Sequence, residues 1–272
     1  MSTRESRMRS LLGRLRRIPG GAVILAGWAL VLAAPPGHAQ TRFEIVNYAI
    51  EAELFPSTHI LSAKARIDFL PKSDLTTMSF ELHSNLRVEK VLDAAGKQLT
   101  FRRDGLNLSV DFLNPQAEGK ASFVTVQYGG SLSSADGSPV ENLKLAYVGN
   151  EGSYLLYPSR WFPLTGYGVN RFAATMRITV PSDEMVVASG RALAPVHQTG
   201  KVTYIYEFSE RSFPGTVIAG KYAVQPGTAV GVNIAIYMKP GHEEFAASYA
   251  DAAAKILGFF SDKFGPLPSG QL

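Results

Sequence analysis

The chain has 272 residues, 46% of them hydrophobic, with a mean hydropathy of +0.02; this suits a packed core and excludes a disordered or low-complexity polymer. Its formal charge of +4 does not mark a nucleic-acid partner, because from position 40 onward 21 basic residues face 22 acidic ones and no basic footprint remains. The absence of cysteine excludes disulfide staples and thiolate ligands as well.

The excess positive charge sits in the first 39 residues, as Arg4, Arg7, Arg9, Arg14, Arg16 and Arg17. An uncharged apolar run over 22–34 follows, then Pro35-Pro36-Gly37-His38-Ala39. Such a run reaches about 20 Å as a helix, short of a hydrocarbon core of about 30 Å. The pattern predicts a secretory signal peptide over 1–39, with Gly37 and Ala39 at −3 and −1 and cleavage before Gln40. A periplasmic or secreted protein with no membrane segment after cleavage is expected, the alternative being an uncleaved anchor.

From residue 43 to residue 238 a period of two dominates. Val46, Tyr48, Ile50, Ala52 and Leu54 share one face; Leu61, Ala63, Ala65, Ile67 and Phe69 share the next, with Ser62, Lys64, Arg66 and Asp68 opposite. Met78, Phe80 and Leu82 repeat the pattern, as do Leu106, Leu108, Val110 and Phe112, then Val124, Val126 and Tyr128. One buried and one wetted face per strand is the mark of antiparallel sheets. Asp93-Ala94-Ala95-Gly96-Lys97 and Arg103-Asp104-Gly105 supply hairpin turns. The Gly/Ser-rich stretch 129–152 reads as a loop holding one short strand near 143–148. A second run then follows: Ala174 to Val180 stopped by Pro181, Met185 to Ala188 stopped by Gly190, Val202 to Phe208, 217–222 and 230–238.

After Pro240-Gly241 the period becomes helical. Phe245, Tyr249, Ala252, Ala253, Ile256, Phe259 and Phe260 form a broad apolar stripe on a helix over 243–264, with Glu243 and Glu244 in the first turn and Lys263 near the end. The stripe must pack either on the β-domain or on a further domain. The predicted fold is therefore mostly β, an antiparallel β-sandwich or saddle-shaped sheet over 40–240, followed by one C-terminal amphipathic α-helix in 241–272.

Chemistry is scarce. Apart from His38 in the leader, the histidines are His59, His83, His197 and His242, all standing apart. His242-Glu243-Glu244 opens like the zinc-peptidase helix His-Glu-x-x-His, but the second ligand position is Ala246. No nucleophile elbow, phosphate-binding loop or dinucleotide fingerprint occurs. The densest aromatic segment runs from Tyr154 through Tyr157, Pro158, Arg160, Trp161 and Phe162 to Pro163. It reads either as a recognition surface or as a rigid corner crossing the core with Arg160 on a carboxylate.

The order of these parts resembles the N-terminal region of the aminopeptidase N family of zinc peptidases. Arg160-Trp161-Phe162-Pro163, the strand 171–180 with Pro181, Val187-Ala188-Ser189-Gly190, the segment 213–222, and the helix ending in Phe264-Gly265-Pro266-Leu267-Pro268 carry the resemblance. It implies a saddle-like β-domain that shapes the pocket for the first side chain of a peptide, followed by a catalytic domain packed on the 243–264 helix. That domain, missing from this chain, would hold zinc. The chain itself is then expected to contain no catalytic residue, no metal ligand and no cofactor, with peptide as substrate of the parent protein.

The family's β-domain also lends Gln and Glu to hold the substrate amine. An ungapped match puts these positions at Gly152 and Tyr154, with Glu151 out of register, so the candidate substrate-binding residues are Glu151, Tyr154, Arg160 and Trp161. The alternative function is a stand-alone exported module binding peptide or glycan. The two readings differ in whether Phe245, Tyr249, Ile256 and Phe260 are covered within the chain.

Overall fold

Alternation along the chain becomes strand almost wherever it occurs. The computed structural model describes residues 42–134, 142–166 and 170–266; the leader expected at 1–39 and the end of the 241–272 segment lie outside the described residues. In chain order the strands are β1 (Phe43–Phe55), β2 (Ile60–Pro71), β3 (Leu75–Glu81), β4 (Arg87–Leu92), β5 (Thr100–Asp104), β6 (Asn107–Gln116), β7 (Ser122–Ser131), β8 (Ala146–Tyr147) and β9 (Ser153–Leu155). They continue as β10 (Phe172–Pro181), β11 (Met185–Ala188), β12 (Arg191–Ala192), β13 (Val196–Gln198), β14 (Lys201–Ser212), β15 (Val217–Gly220), β16 (Ala223–Ala229) and β17 (Val232–Met238), and α1 (Ala246–Phe264) follows.

An eight-stranded sheet runs in the order β12-β14-β10-β1-β2-β7-β4, with β13 also on β14. Beside it lie a three-stranded sheet, β3-β6-β5, and a four-stranded sheet, β11-β15-β9-β8. One core is filled from all three: Tyr48, Ile50, Ile67 and Ile178 from the large sheet, Met78, Phe80 and Val110 from the second, and Leu155, Val186, Val217 and Ala219 from the third. Tyr48 meets Phe172 and Phe162 edge-on at centroid distances of 4.6 and 5.0 Å, the geometry in which a ring's positive edge faces a negative π-cloud.

The fold is mostly β, predominantly antiparallel, with a single C-terminal helix, as the periodicity predicts. Three departures are informative. β1 pairs with β10 in parallel, Asn47 opposite Ala173 through Glu53 opposite Thr179. Val46, expected on the buried face, instead sits in a β-bulge: Ile45 pairs with Phe69 and Asn47 with Asp68, leaving Val46 as the extra residue, and Phe43 and Ile45 take the core positions. β16 (Ala223–Ala229) lies between the expected strands 217–222 and 230–238, and its Pro226-Gly227 is tolerated because β16 belongs to a two-stranded ribbon with β17.

The helix starts with a 3₁₀ turn at Glu243–Phe245, where the Glu243 carboxylate accepts the Gly241 N–H at 2.9 Å. Of the predicted stripe only Ala253 lies on the packed line of the helix, which Leu257 completes. Leu257 and Ala253 pack on Val232, Ile234 and Ile236 of the ribbon in a small second core. Phe245, Tyr249, Ile256 and Phe260 remain 49%, 59%, 56% and 51% exposed, and Phe264 is 81% exposed. No helix among the described residues is long and apolar enough to cross a membrane.

The β16–β17 turn places Val230 at φ 52 and Gly231 at φ 74. A β-branched side chain is strained there, whereas Asn tolerates the left-handed region. Val230→Asn is expected to stabilise ribbon and helix by about 0.5–1 kcal/mol, read as a higher urea midpoint of the helical circular dichroism with an unchanged slope.

Candidate functional site

The four-stranded sheet is short but its register is strict. Val187, Ile218, Tyr154 and Tyr147 stand opposite one another across β11, β15, β9 and β8. One step along the strands, Ala188, Val217, Leu155 and Ala146 form the parallel row that packs into the core. Because side chains alternate across a sheet, the first row faces outward, with Ile218 38% exposed. The Tyr147 and Tyr154 rings lie 5.5 Å apart, and the His59 ring lies 5.8 Å from Tyr147. His59 Nδ1 is 2.6 Å from the Val148 carbonyl, which can only accept, so the proton sits on Nδ1. The Lys144 ammonium lies 4.5 Å above the Tyr147 ring.

The turn between β8 and β9 carries Glu151 at an exposed position. Its shape comes from Gly152 N–H donating to the Gly149 carbonyl at 3.0 Å and Gly149 N–H donating to Ser153 Oγ at 3.2 Å. Gly152 has φ 127, and a Cβ there would lie 3.4 Å from the Tyr222 hydroxyl. The volume that a glutamine side chain would need at this position is bounded by Tyr222. At Tyr154 the phenol is pushed above its ordinary range, by burial first and by Tyr147 second, and stays neutral. Of the two positions that the resemblance assigns to amine recognition, neither therefore carries a charge; Glu151 supplies the anion nearest to them in sequence.

Arg160 and Trp161 lie elsewhere. Pro158–Arg160 form a 3₁₀ turn whose three residues are all buried. Arg160 reaches Glu81 Oε1 of β3 at 2.5 Å, donates to Ser159 Oγ at 2.9 Å and lies over the Tyr157 ring. Backbone bonds between Glu81 and Leu164, at 2.7 and 2.9 Å, close the same junction. Trp161 is fully buried, with Nε1 donating to the Gly215 carbonyl at 2.7 Å. Gly215 has φ 135, and a Cβ there would come within 2.9 Å of the Phe162 ring. The segment is thus a corner fastened to β3 on one side and to the loop before β15 on the other. It brings Glu151 and Tyr154 together on one hairpin and keeps Arg160 and Trp161 behind it.

Two further residues lie beside this hairpin or its supporting strands without a local sequence signal that singles them out. Tyr222 packs on Gly152 and Gly220, and Glu184, in a polar turn that reads as solvated, is only 7% exposed. The Phe213–Tyr222 segment offered the one available signal for Tyr222.

Zinc does not fit the described residues. No three His, Cys, Asp or Glu side chains among them come together as ligands. The His242 ring stacks near Phe245 at the helix start, and Ala246 follows where a second imidazole is needed.

No family model matches this sequence, and no curated protein matches it. Solved structures do. The M1 zinc metallopeptidase of Deinococcus radiodurans superposes with a TM-score of 0.66 at 19% identity over 85% of this chain and 55% of that one. A point mutant of that enzyme bound to a Tyr-Ser-Ala substrate matches with the same score and identity, covering 56% of its chain. A two-domain M1 zinc metallopeptidase mutant bound to L-arginine gives 0.66 at 18% identity. The chain spans a little over half the length of these structures. Its fold is like that of the matched part of these M1 zinc metallopeptidases.

Trp161→Phe removes the indole N–H together with part of the ring volume, leaving the Gly215 carbonyl buried without its partner beside a small void. A loss of about 1–3 kcal/mol is expected in denaturant unfolding.

Proposed function

We propose that this chain is the N-terminal substrate-pocket domain of an exported zinc aminopeptidase-like protein, together with the first helix of its catalytic domain, and that it is silent alone. The observation that carries this reading is the outer face of α1. Six large apolar side chains, Phe245, Tyr249, Ile256, Phe259, Phe260 and Phe264, face solvent while the helix is held by Leu257 and Ala253. Soluble monomers rarely leave such a stripe open. The M1-like fold, which continues in its solved relatives beyond the part matched here, supports a catalytic domain as the stripe's cover. Zinc, held by that domain, would supply the activated water.

In this reading each residue of the chain has a non-chemical task. Glu151 offers a carboxylate to the amino group of a peptide. Tyr154, Tyr147 and Ile218 form an apolar wall for its first side chain. Arg160 and Trp161 hold the hairpin in place from the core side. A binding module for peptide or glycan is the second reading, favoured by the outward tyrosine row, since aromatic faces suit both ligands.

Three measurements bear on the choice. The gene is expected to encode His-Glu-x-x-His within about one domain length, ~100–200 residues, after the codon for Leu272; a stop codon there would favour the binding module. The purified chain is expected to lose zinc on dialysis against chelator and to leave aminoacyl anilides intact, and hydrolysis by a homogeneous preparation would sink the proposal. The double substitution Tyr249→Lys and Phe260→Lys should change the stability of the isolated chain by no more than about 0.5 kcal/mol, yet prevent folding or activity of the longer protein. Equal tolerance in both contexts would count against the domain interface.

A further inference from the structure

The chain leaves the eight-stranded sheet and enters the four-stranded one through the turn 182–184, and this turn holds a carboxylate in an unusual place. Glu184 is 7% exposed, and its Oε2 atom is buried with no hydrogen-bond partner. Its backbone is strapped down on both sides. Glu184 N–H donates to the Pro181 carbonyl at 3.0 Å, and Tyr204 of β14 donates its hydroxyl to the Glu184 carbonyl at 3.3 Å. Two residues on, Tyr206 donates to the Val186 carbonyl at 2.5 Å. The charged and titratable groups that interact with the carboxyl are Asp183 on the same turn and Lys221 and Tyr222 just after β15; Tyr204 on β14 holds the Glu184 backbone carbonyl, and Tyr206 and Tyr237 lie in the next shell. Lys221 is already engaged, its ammonium 2.6 Å from Asp183.

The same segment touches the hairpin that bears Glu151 and Tyr154. Tyr222 packs its hydroxyl against Gly152 and bonds the Ala219 carbonyl at 3.4 Å, and Gly220 approaches the Gly152 backbone so closely that a Cβ would come within 3.3 Å of the Gly152 Cα. Glu184 is therefore coupled electrostatically to Lys221 and Tyr222, and Tyr222 in turn packs on Gly152.

We propose that Glu184 is a proton-operated latch on the 149–155 hairpin: neutral, it lies quietly among the tyrosines and Lys221 stays on Asp183; ionised, it loosens residues 221–222 and with them the hairpin. The physical reason is that a carboxylate with one oxygen buried and unpartnered, beside a second carboxylate, has two ways to relieve its energy. It swings into water, or it draws Lys221 away from Asp183. Either movement shifts the residue next to Tyr222. The Glu184 carboxyl is held above its ordinary value of 4.5, by burial first and by the Asp183 charge second, with Lys221 opposing. The folded state therefore binds this proton more tightly than the unfolded chain does. The stabilisation is complete below the ordinary value and is lost as pH rises through the folded value. The device concerns how the hairpin is held and stands apart from the peptidase reading.

The test is amide hydrogen exchange of the full chain, resolved for residues 152–156 and 217–222 and corrected for intrinsic rates, from pH 4.5 upward. Wild-type protection in both segments should fall with rising pH, by at most about tenfold per pH unit since one proton is involved, and level off above the folded value. Glu184→Gln should be flat over the range. Asp183→Asn should move the fall to lower pH. A flat wild type, or the same fall in Glu184→Gln, overturns the latch. Should the glutamine variant not fold, the Glu184 side-chain carboxyl is titrated in the wild type by ¹³C NMR. A midpoint above the ordinary glutamate range, coincident with the loss of protection, supports the proposal, and a midpoint at or below that range overturns it.

Discussion

Residues 158–163 must carry the backbone from the four-stranded sheet past the core to β10, and a chain crossing apolar space has to find partners for its polar groups. It does so in three ways. The 3₁₀ turn satisfies its own amides through the Tyr157 and Pro158 carbonyls, Arg160 spends its guanidinium on Glu81 and Ser159, and Trp161 takes the Gly215 carbonyl. Each bond fastens a different neighbour: β3, the turn itself, and the loop leading into β15. The position of the outward row Tyr147, Tyr154, Ile218 and Val187 follows from this crossing, because β9 enters the corner and β15 leaves the loop that the corner holds. Gly215 is part of the same requirement, since its φ of 135 and its contact with Phe162 leave no room for a side chain.

Much of this was legible in the residues. β2 and β10 could be read because polar and apolar positions alternate without interruption and both strands bury one face. Other features depend on partners that a local pattern does not name. Val46 is as apolar as Ile45, so nothing in the pair announces which one a bulge will expel. Pro226 and Gly227 look like a stop because edge strands that need no donor from a residue resemble loops in sequence. The parallel partnership of β1 with β10 is a choice among many hydrophobic strands and is settled by the packing of the whole sandwich. The α1 stripe was visible, yet its width concealed that the ribbon uses the Ala253–Leu257 line and leaves Ile256 outside.

The site divides in the same manner. Chemical type identified Tyr154, Arg160 and Trp161 as unusual, but exposure separates them: two are fasteners in the interior and one stands beside Glu151 on an accessible hairpin. Gly152 and Tyr154 replace the charged and amide groups that the resemblance places there, and Tyr222 fills the space above Gly152. The outward row is therefore aromatic and apolar, with Glu151 on the adjoining turn and the Lys144 ammonium over Tyr147 as the charges beside it. Glu184 could not be picked out, because Ser182-Asp183-Glu184 has the composition of a solvated turn and only the tyrosines of β14 and the Lys221–Tyr222 segment enclose it.

The partnership between β1 and β10 also bears on how quickly the molecule assembles. β1 lies in the interior of the large sheet, flanked by β2 on one side and β10 on the other. Its first neighbour is a short hairpin away, but its second arrives only after seven further strands have been made. Closing so long a loop costs entropy before the pairing returns anything, so the first half of the polypeptide waits with one long strand edge unsatisfied. The sequence separation built into this one pairing makes the β1–β10 contact a slow one to close, so the large sheet is completed from β1 outward only when the second half of the polypeptide is available.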